Sequence, residues 1–594
     1  MKLKTIMSNF NLNKKDSIYL ICIFILSFSI FIVKFLYFDK IGIPNSDGLI
    51  YLCDALYFAG INYNNIGGLN FIYSSPTICF LTSIFFRLNY MNPNALIIVT
   101  GIFEILGNIG LYILLKNRFN RILSFVGTIF YLSSALVVHN SSFGMLDIPA
   151  VAVSIWILVF AIISVDKNPK YYLITLPLFI IGIFTRPTVG FVLPIIIIYF
   201  SNKHDLIKQF DYLIYDRKKL KSNIKTFLKT AEFKYIVISS IISLILVLIV
   251  TTIIYCTYGI SYNLFSNVNG VINSPQTNST IETFYNTNTL YYIELIPQYI
   301  IFRAFKLKCI VIIAVLIGFI VKFKNYIKSR EQTINKNYYS TDTFEKNLIA
   351  IAVILILFSL SIYKIEFLIS EIGLTIIFLI ISSIMMKFPQ RKSGLTISMI
   401  AWMALYLTFI SYLPIKVDRY FIPILVPISF LLTYSLDSLC NFIKEKLEDY
   451  KLKKINKTTI INIALIIFAV LLVMNAYLNI EYSISHTTHK TYNNFHKNTY
   501  NGAYRDYENV AEYLMNYDPD YIHKNISTDR HKRFHDWFLN MNTTRYYIDA
   551  YEYDKYHELD STKSDYLILD QKIDFENYTH IYKKGRCNLY KLNT

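Results

Sequence analysis

Apolar stretches near twenty residues long recur through most of this chain. A helix of that length crosses the ~30 Å hydrocarbon core of a bilayer. Inside lipid the backbone must satisfy its own hydrogen bonds, which a helix does within one segment. The candidate spans are 18–37, 95–115, 121–138, 149–165, 171–185, 187–200, 235–256, 308–322, 347–363, 367–386, 396–413, 420–440 and 457–479. Composition agrees: 54% of residues are hydrophobic and 16% are charged, against about 25% charged in an ordinary soluble domain. The chain reads as a polytopic α-helical membrane protein with about thirteen transmembrane helices.

The net charge is +18. On a soluble chain that excess would raise nucleic acid as a partner. Here the basic residues cluster in a few polar loops, so positive-inside orientation is the better reading and no nucleic acid is expected. Lys2, Lys4, Lys14 and Lys15 precede the first span, which has neither the short apolar core nor the cleavage site of a signal peptide. It reads as a retained helix with a cytoplasmic N-terminus. The stretch 71–90 is ambiguous. If it does not span, the loops at 116–121, 167–170, 201–234, 323–346, 387–392 and 441–456 all fall inside. It is therefore expected to lie at the outer surface or to be partly re-entrant.

That topology puts 38–94, 139–148, 257–307 and 480–594 outside, in a multi-pass cell-membrane protein. Carboxylates and cations from separate loops then share one face. Asp47, Tyr51 and Asp54 are spaced i, i+4, i+7, so on a helix they share a side. A carboxylate there can take a proton from a hydroxyl, or Ser46 or Asp47 can cap a helix opening at Gly48. Asp147 precedes Ile148-Pro149 and fits a capping role as well. Arg186, in the turn before Pro187, can hold a phosphate bidentately or simply snorkel to the interface. Lys416 and Arg419 carry the same two readings. His139, Glu294 and Arg303 can also reach this face. The seven cysteines form no CxxC pair and support neither a metal site nor a disulfide framework.

The last hundred residues are polar and aromatic. Tyr507 to Met515 has helical spacing, and Asp529 to Leu539 is a second helix candidate. Thr544–Ile548, Tyr566–Leu569, His580–Tyr582 and Asn588–Leu592 read as strands. The expected division is a transmembrane module, 1–480, and a small C-terminal α/β extracytoplasmic domain, 481–594. Four Asn-x-Ser/Thr triplets fall on the outer side: Asn278, Asn525, Asn542 and Asn577.

In order along the chain come Asp47-Gly48 with Tyr51, Ser74-Ser75-Pro76, Leu146-Asp147-Ile148-Pro149, Arg186-Pro187, and Arg419-Tyr420 followed by Pro423 and Pro427. This series resembles the C-type membrane glycosyltransferases (GT-C), in the branch of protein O-mannosyltransferases and lipid A aminoarabinose transferases. Gly48 stands where that family usually has a second acid. The tail resembles the small α/β domains of bacterial and archaeal members. The Trp-Trp-Asp signature of oligosaccharyltransferases is absent, since Trp156, Trp402 and Trp537 stand apart.

The resemblance implies a GT-C fold and an inverting glycosyltransferase. The donor would be a polyprenyl- or dolichyl-phosphate sugar and the acceptor a glycan, lipid or protein. It implies Asp47 and Asp147 as catalytic residues, and Arg186, Lys416 and Arg419 at the donor phosphate. Tyr51, Asp54 and His139 would contact substrate. No cofactor and no metal are expected, although a divalent ion is compatible with the residues. Two other classes compete. A transporter or flippase would carry ionisable groups in mid-span, where Glu104 and Glu371 stand. A polysaccharide polymerase, or an assembly protein whose tail binds surface polymer, would not need this motif order.

Overall fold

The computed structural model of the protein describes residues 7–41, 46–61, 75–141, 143–258, 288–301, 304–334, 353, 367–386, 393–413, 416–449, 457–488, 505–529, 532–541, 543–546, 559, 563–585 and 587–593. Helices make up the bundle in the order α1 (Asp16–Ile41), α2 (Ser46–Ala59), α3 (Pro76–Arg87), α4 (Asn94–Lys116), α5 (Arg121–Ser133), α6 (Ala135–Asn140), α7 (Asp147–Asp166), α8 (Tyr172–Thr185) and α9 (Val192–His204). They continue with α10 (Leu206–Tyr215), α11 (Arg217–Leu228), α12 (Ala231–Tyr258), α13 (Tyr291–Ile300), α14 (Phe305–Ile334), α15 (Phe367–Met386), α16 (Ser393–Tyr412), α17 (Ile422–Asp449) and α18 (Lys457–Thr488).

Among the described residues, α1, α4, α7, α12, α16, α17 and α18 are each long and apolar enough to cross a bilayer. α13 and α14 pass the same test together across a bend of 114°. α5, α8 and most of α15 are shorter apolar helices. The expected span at 347–363 lies outside the described residues, apart from Val353. α3, from the ambiguous stretch, has only twelve residues and packs against α2, α4 and α8. At 1.5 Å per residue it is too short to cross.

The bundle has two polar ends. At one, Asn11 Nδ2 donates to Asn117 Oδ1 at 2.7 Å, and Lys167 Nζ donates to the Ser8 and Asn9 carbonyls at 2.7 and 2.9 Å. Ser383 Oγ donates to Asp205 Oδ1 there at 2.7 Å. Asn120, Asp205 and Asp216 accept from the first backbone N–H groups of α5, α10 and α11, which satisfies donors left free at each helix start. Of the loops expected on one side by charge, those at 116–121, 167–170 and 201–234 are thus gathered at one end. The candidate site is at the other. Between them lies an apolar core in which Tyr112, Trp402, Phe421 and Phe430 are fully buried.

The tail holds α19 (Arg505–Tyr517), α20 (Lys532–Leu539) and a five-stranded sheet of order β2-β1-β3-β5-β4. The strands are β1 (Ile526–Thr528), β2 (Thr544–Arg545), β3 (Tyr566–Leu569), β4 (Tyr578–Lys584) and β5 (Cys587–Leu592). β1 runs parallel to β2 and β3, while β5 is antiparallel to β3 and β4. Gly585 turns the β4–β5 hairpin at φ +56°, and a Cβ there would collide with the Asp506 carboxylate. β1 is missing from the sequence expectation. Its three residues are all buried, so it has no polar alternation to reveal it. One hydrophobic cluster joins Leu49, Leu52 and Leu56 of α2, Ile78 of α3 and Leu514 and Phe534 of the tail. The tail therefore packs on the helices that follow the first span.

Candidate active site

α2 opens at Ser46, so Asp47 stands in its first turn. Asp47 Oδ2 accepts from Arg419 Nη2 at 2.7 Å. Asp147 is the first residue of α7, and Leu146, in the N-cap position, makes no side-chain capping bond. Asp147 pairs instead with Arg186 through Oδ1, and its Oδ2 lies 3.8 Å from Arg419 Nε. Four residues spread over 373 positions of sequence thus form one chain: Asp47–Arg419–Asp147–Arg186.

Each member is placed by a break in its element. Arg186 ends α8 in an extended conformation, because Pro187 excludes the helical region for the residue before it. Arg419 lies in a 3-10 turn, Asp418–Phe421, that feeds α17. The Tyr420 ring sits between the two cations, 5.5 Å from Arg186 Cζ and 5.8 Å from Arg419 Cζ. Both distances suit a cation–π contact. Burial works against the Arg186 charge, but Asp147 outweighs it, and the guanidinium is held above its usual value.

The two carboxylates differ in access. The Asp47 side chain is 34% exposed and that of Asp147 only 3%. Asp47 can meet a solvent-borne hydroxyl; Asp147 is placed to fix the arginines. Tyr51, one turn along α2, is buried in the field of all four charged groups. Burial first, then Asp47, pushes its phenol well above the ordinary value.

The other sequence candidates are placed as follows. Asp54 is buried on α2, within electrostatic reach of Cys79 on α3. His139 is buried on α6 with its ring edge-on to Phe143 at 5.1 Å. Lys416 is buried, and its Nζ donates to the carbonyls of Ile410, Ser411 and Leu413 at 3.2, 2.6 and 2.6 Å. It caps the C-terminal end of α16 and is not turned toward the carboxylates. Glu294 lies in the first turn of α13, where Asn288 donates to it; Arg303 lies outside the described residues.

Sequence reasoning missed the clamp on the Arg419 turn. Tyr291 and Tyr299 of α13 both donate to Asp418 Oδ1, at 3.0 and 2.6 Å. Tyr292 OH accepts from Val417 N at 3.1 Å. Asp418, beside Arg419, was the available signal; the tyrosines were three among many. Of the mid-span carboxylates, Glu104 accepts from Ser141 at 2.6 Å. The Glu371 carboxylate makes no hydrogen bond with any described residue. Among the described residues no three His, Cys, Asp or Glu side chains are grouped as a metal site.

Residues 74–230 match the family described as dolichyl-phosphate-mannose-protein mannosyltransferase. No curated protein matches the chain in sequence. In fold the chain is similar to ArnT from Cupriavidus metallidurans, solved bound to undecaprenyl phosphate. The two share 11% identity at a TM-score of 0.51, with 96% of this chain and 97% of that one covered. The apo form of ArnT gives a TM-score of 0.52 at 10% identity, with 94% and 97% covered. The apo oligosaccharyltransferase of Archaeoglobus fulgidus gives 0.50 at 10% identity, with 93% and 69% covered.

Proposed function

We propose that this chain, a multi-pass membrane glycosyltransferase of the GT-C fold, moves a sugar in one inverting step from a polyprenyl- or dolichyl-phosphate donor to an acceptor at the outer face of the membrane. One observation carries the reading: an accessible carboxylate, Asp47, shares an arginine with a buried one, Asp147. The family match and the lipid phosphate bound by ArnT support the choice of donor. The basic loops at the opposite end support an outward site, with the N-terminus inside and the tail outside.

In the proposed step the acceptor oxygen attacks the anomeric carbon as the bond to the donor phosphate breaks. Asp47 takes the hydroxyl proton. The leaving phosphate keeps the bonding electrons, so a diester of one charge becomes a monoester with about −1.5 to −2. Arg186 and Arg419 face that rise in charge. A guanidinium has five donors, and the carboxylates occupy only some of them. A preorganised cation aimed at developing charge favours the transition state over the bound donor. Asp147 keeps both arginines in place. Tyr51 lines the acceptor side; Asp54 and His139 serve as supports for α2 and the second outer loop, and Lys416 as a support for the turn that carries Arg419.

The test is transfer in membranes from labelled polyprenyl-phosphate sugars, with native lipid and protein extract as acceptor. Asp47→Asn keeps size but cannot act as a base. Transfer by wild type that vanishes in Asp47→Asn, at equal expression, supports both the class and the base. Transfer unchanged in Asp47→Asn removes Asp47 from the chemistry. No product from any donor would favour transport, and a flux assay would follow.

A further inference from the structure

The segment that leads into the site is a broken helix. α5 stops at Ser133, Ser134 is extended, and α6 runs only from Ala135 to Asn140. A helix break at membrane depth leaves carbonyls without intrahelical donors, and lipid supplies none. Other spans supply them. The Ser133 carbonyl accepts from Asn475 and Asn479 of α18 at 2.9 and 3.0 Å. Lys34 of α1 donates to the carbonyls of Val138 and His139 at 2.5 and 2.7 Å. Glu104 of α4 accepts from the Ser141 hydroxyl at 2.6 Å. Lys34 also sits over the Phe143 ring, 4.7 Å from its centroid.

Lys34 and Glu104 are only 5% and 4% exposed and lie within electrostatic range of each other. Neutral donors such as the asparagines of α18 would suffice to satisfy carbonyls. Charge at this depth is costly and is retained where it has a task. A lysine and a glutamate from separate spans here grip residues 138–141, six residues ahead of Asp147. The same loop gives Met145 Sδ to Arg419 at 3.6 Å.

We infer that Lys34 and Glu104 are positioning residues: they hold the 135–146 segment in the register that sets Asp147 against Arg186 and Arg419. The inference rests on the reading of Asp147 as part of the active site. The pair suits this task because moving the segment would strip buried donors and acceptors of their partners in a dry setting, which penalises other arrangements.

The full-length protein in liposomes carries the test, with Lys34→Met, Glu104→Gln, the double variant and Lys34→Arg. Each single variant is expected to lower kcat about 10- to 100-fold, the cost of a displacement near 1 Å in a reacting site, with donor KM nearly unchanged. Lys34→Arg is expected to recover activity, and the double variant to exceed Lys34→Met. A second readout needs no transfer activity. Met145 and Cys79 are both buried, in different elements. A cysteine placed at 145 should be labelled by a membrane-impermeant maleimide roughly tenfold faster in Lys34→Met than in the parent, as local opening rises, while Cys79 labelling stays unchanged. Equal acceleration at both sites would mean general loosening and overturn the inference. So would unchanged labelling at 145, or unchanged kcat in active protein. If wild type shows no transfer, the functional reading fails alone and the labelling still decides the positioning.

Discussion

Arg419 is the residue on which the site turns. It donates to Asp47 through Nη2, approaches Asp147 through Nε and reaches Met145 through Nη1. Lysine presents a point charge and cannot hold these three directions at once. Arg419→Lys is therefore expected to lower kcat by about 10²- to 10³-fold, the usual cost of removing one preorganised donor. Lys34→Met in the same background would then add little, since the two act on one geometry. Steady-state transfer kinetics of the single and double variants test this. Lys416 gives a separate prediction. Burial lowers its pKa from 10.5 to about 8. Between those values the unfolded chain binds more protons than the folded one, so this group makes stability rise with pH, and below about pH 8 it makes no further change. In Lys416→Met the melting temperature should be lower throughout but should lack that rise. Thermal melts of both proteins from pH 7 to 10.5 check it.

At the scale of elements, the site depends on helices that end early. Pro187 ends α8 at Arg186, and the 3-10 turn before α17 presents Arg419. α13 holds that turn through Tyr291, Tyr299 and Asp418. Tyr299→Phe removes one hydroxyl donor to a buried carboxylate and should cost about 1–3 kcal/mol of local stability. Its signature is a lower kcat with normal expression, stronger again in Asp418→Asn. Of the three residues spaced i, i+4, i+7 on α2, Asp47 and Tyr51 both stand at the charged cluster. Asp54 lies near that face in angle, only about 20° short of two full turns from Asp47, but about 10 Å farther along the helix axis at 1.5 Å per residue. That axial distance, with α3 packed alongside, puts Asp54 beside Cys79 and away from the cluster.

At the scale of the molecule, the bundle, the surface helices and the tail are mechanically joined. Phe534 of α20 shares a cluster with Leu52 of α2, the residue next to Tyr51. Phe534→Ala is expected to cost about 3–5 kcal/mol, as for other large buried rings. Because the cluster is shared, the loss should appear both as faster proteolysis of the tail and as reduced transfer; a tail that merely hangs from α18 would show the first without the second. The clustering of polar ends also predicts an accessibility pattern. Single cysteines at Asn117 and Lys229 should be shielded from an impermeant reagent applied outside intact cells, while one at Asn288 should react.

Much of this was written in the sequence. The apolar runs dictate membrane helices, because lipid leaves a backbone little else to do. The charge rule assigns the basic loops to one side, and Asp47, Asp147, Arg186 and Arg419 stand out because charge beside a span needs a reason. Tertiary structure decided how those residues meet. Nothing local says that Arg419 bridges two carboxylates, that Lys416 turns back to cap its own helix, or that Lys34 and Asn475 repair a broken span. A side chain's partner across hundreds of residues is set by which helix ends lie together, and that follows from packing the whole bundle.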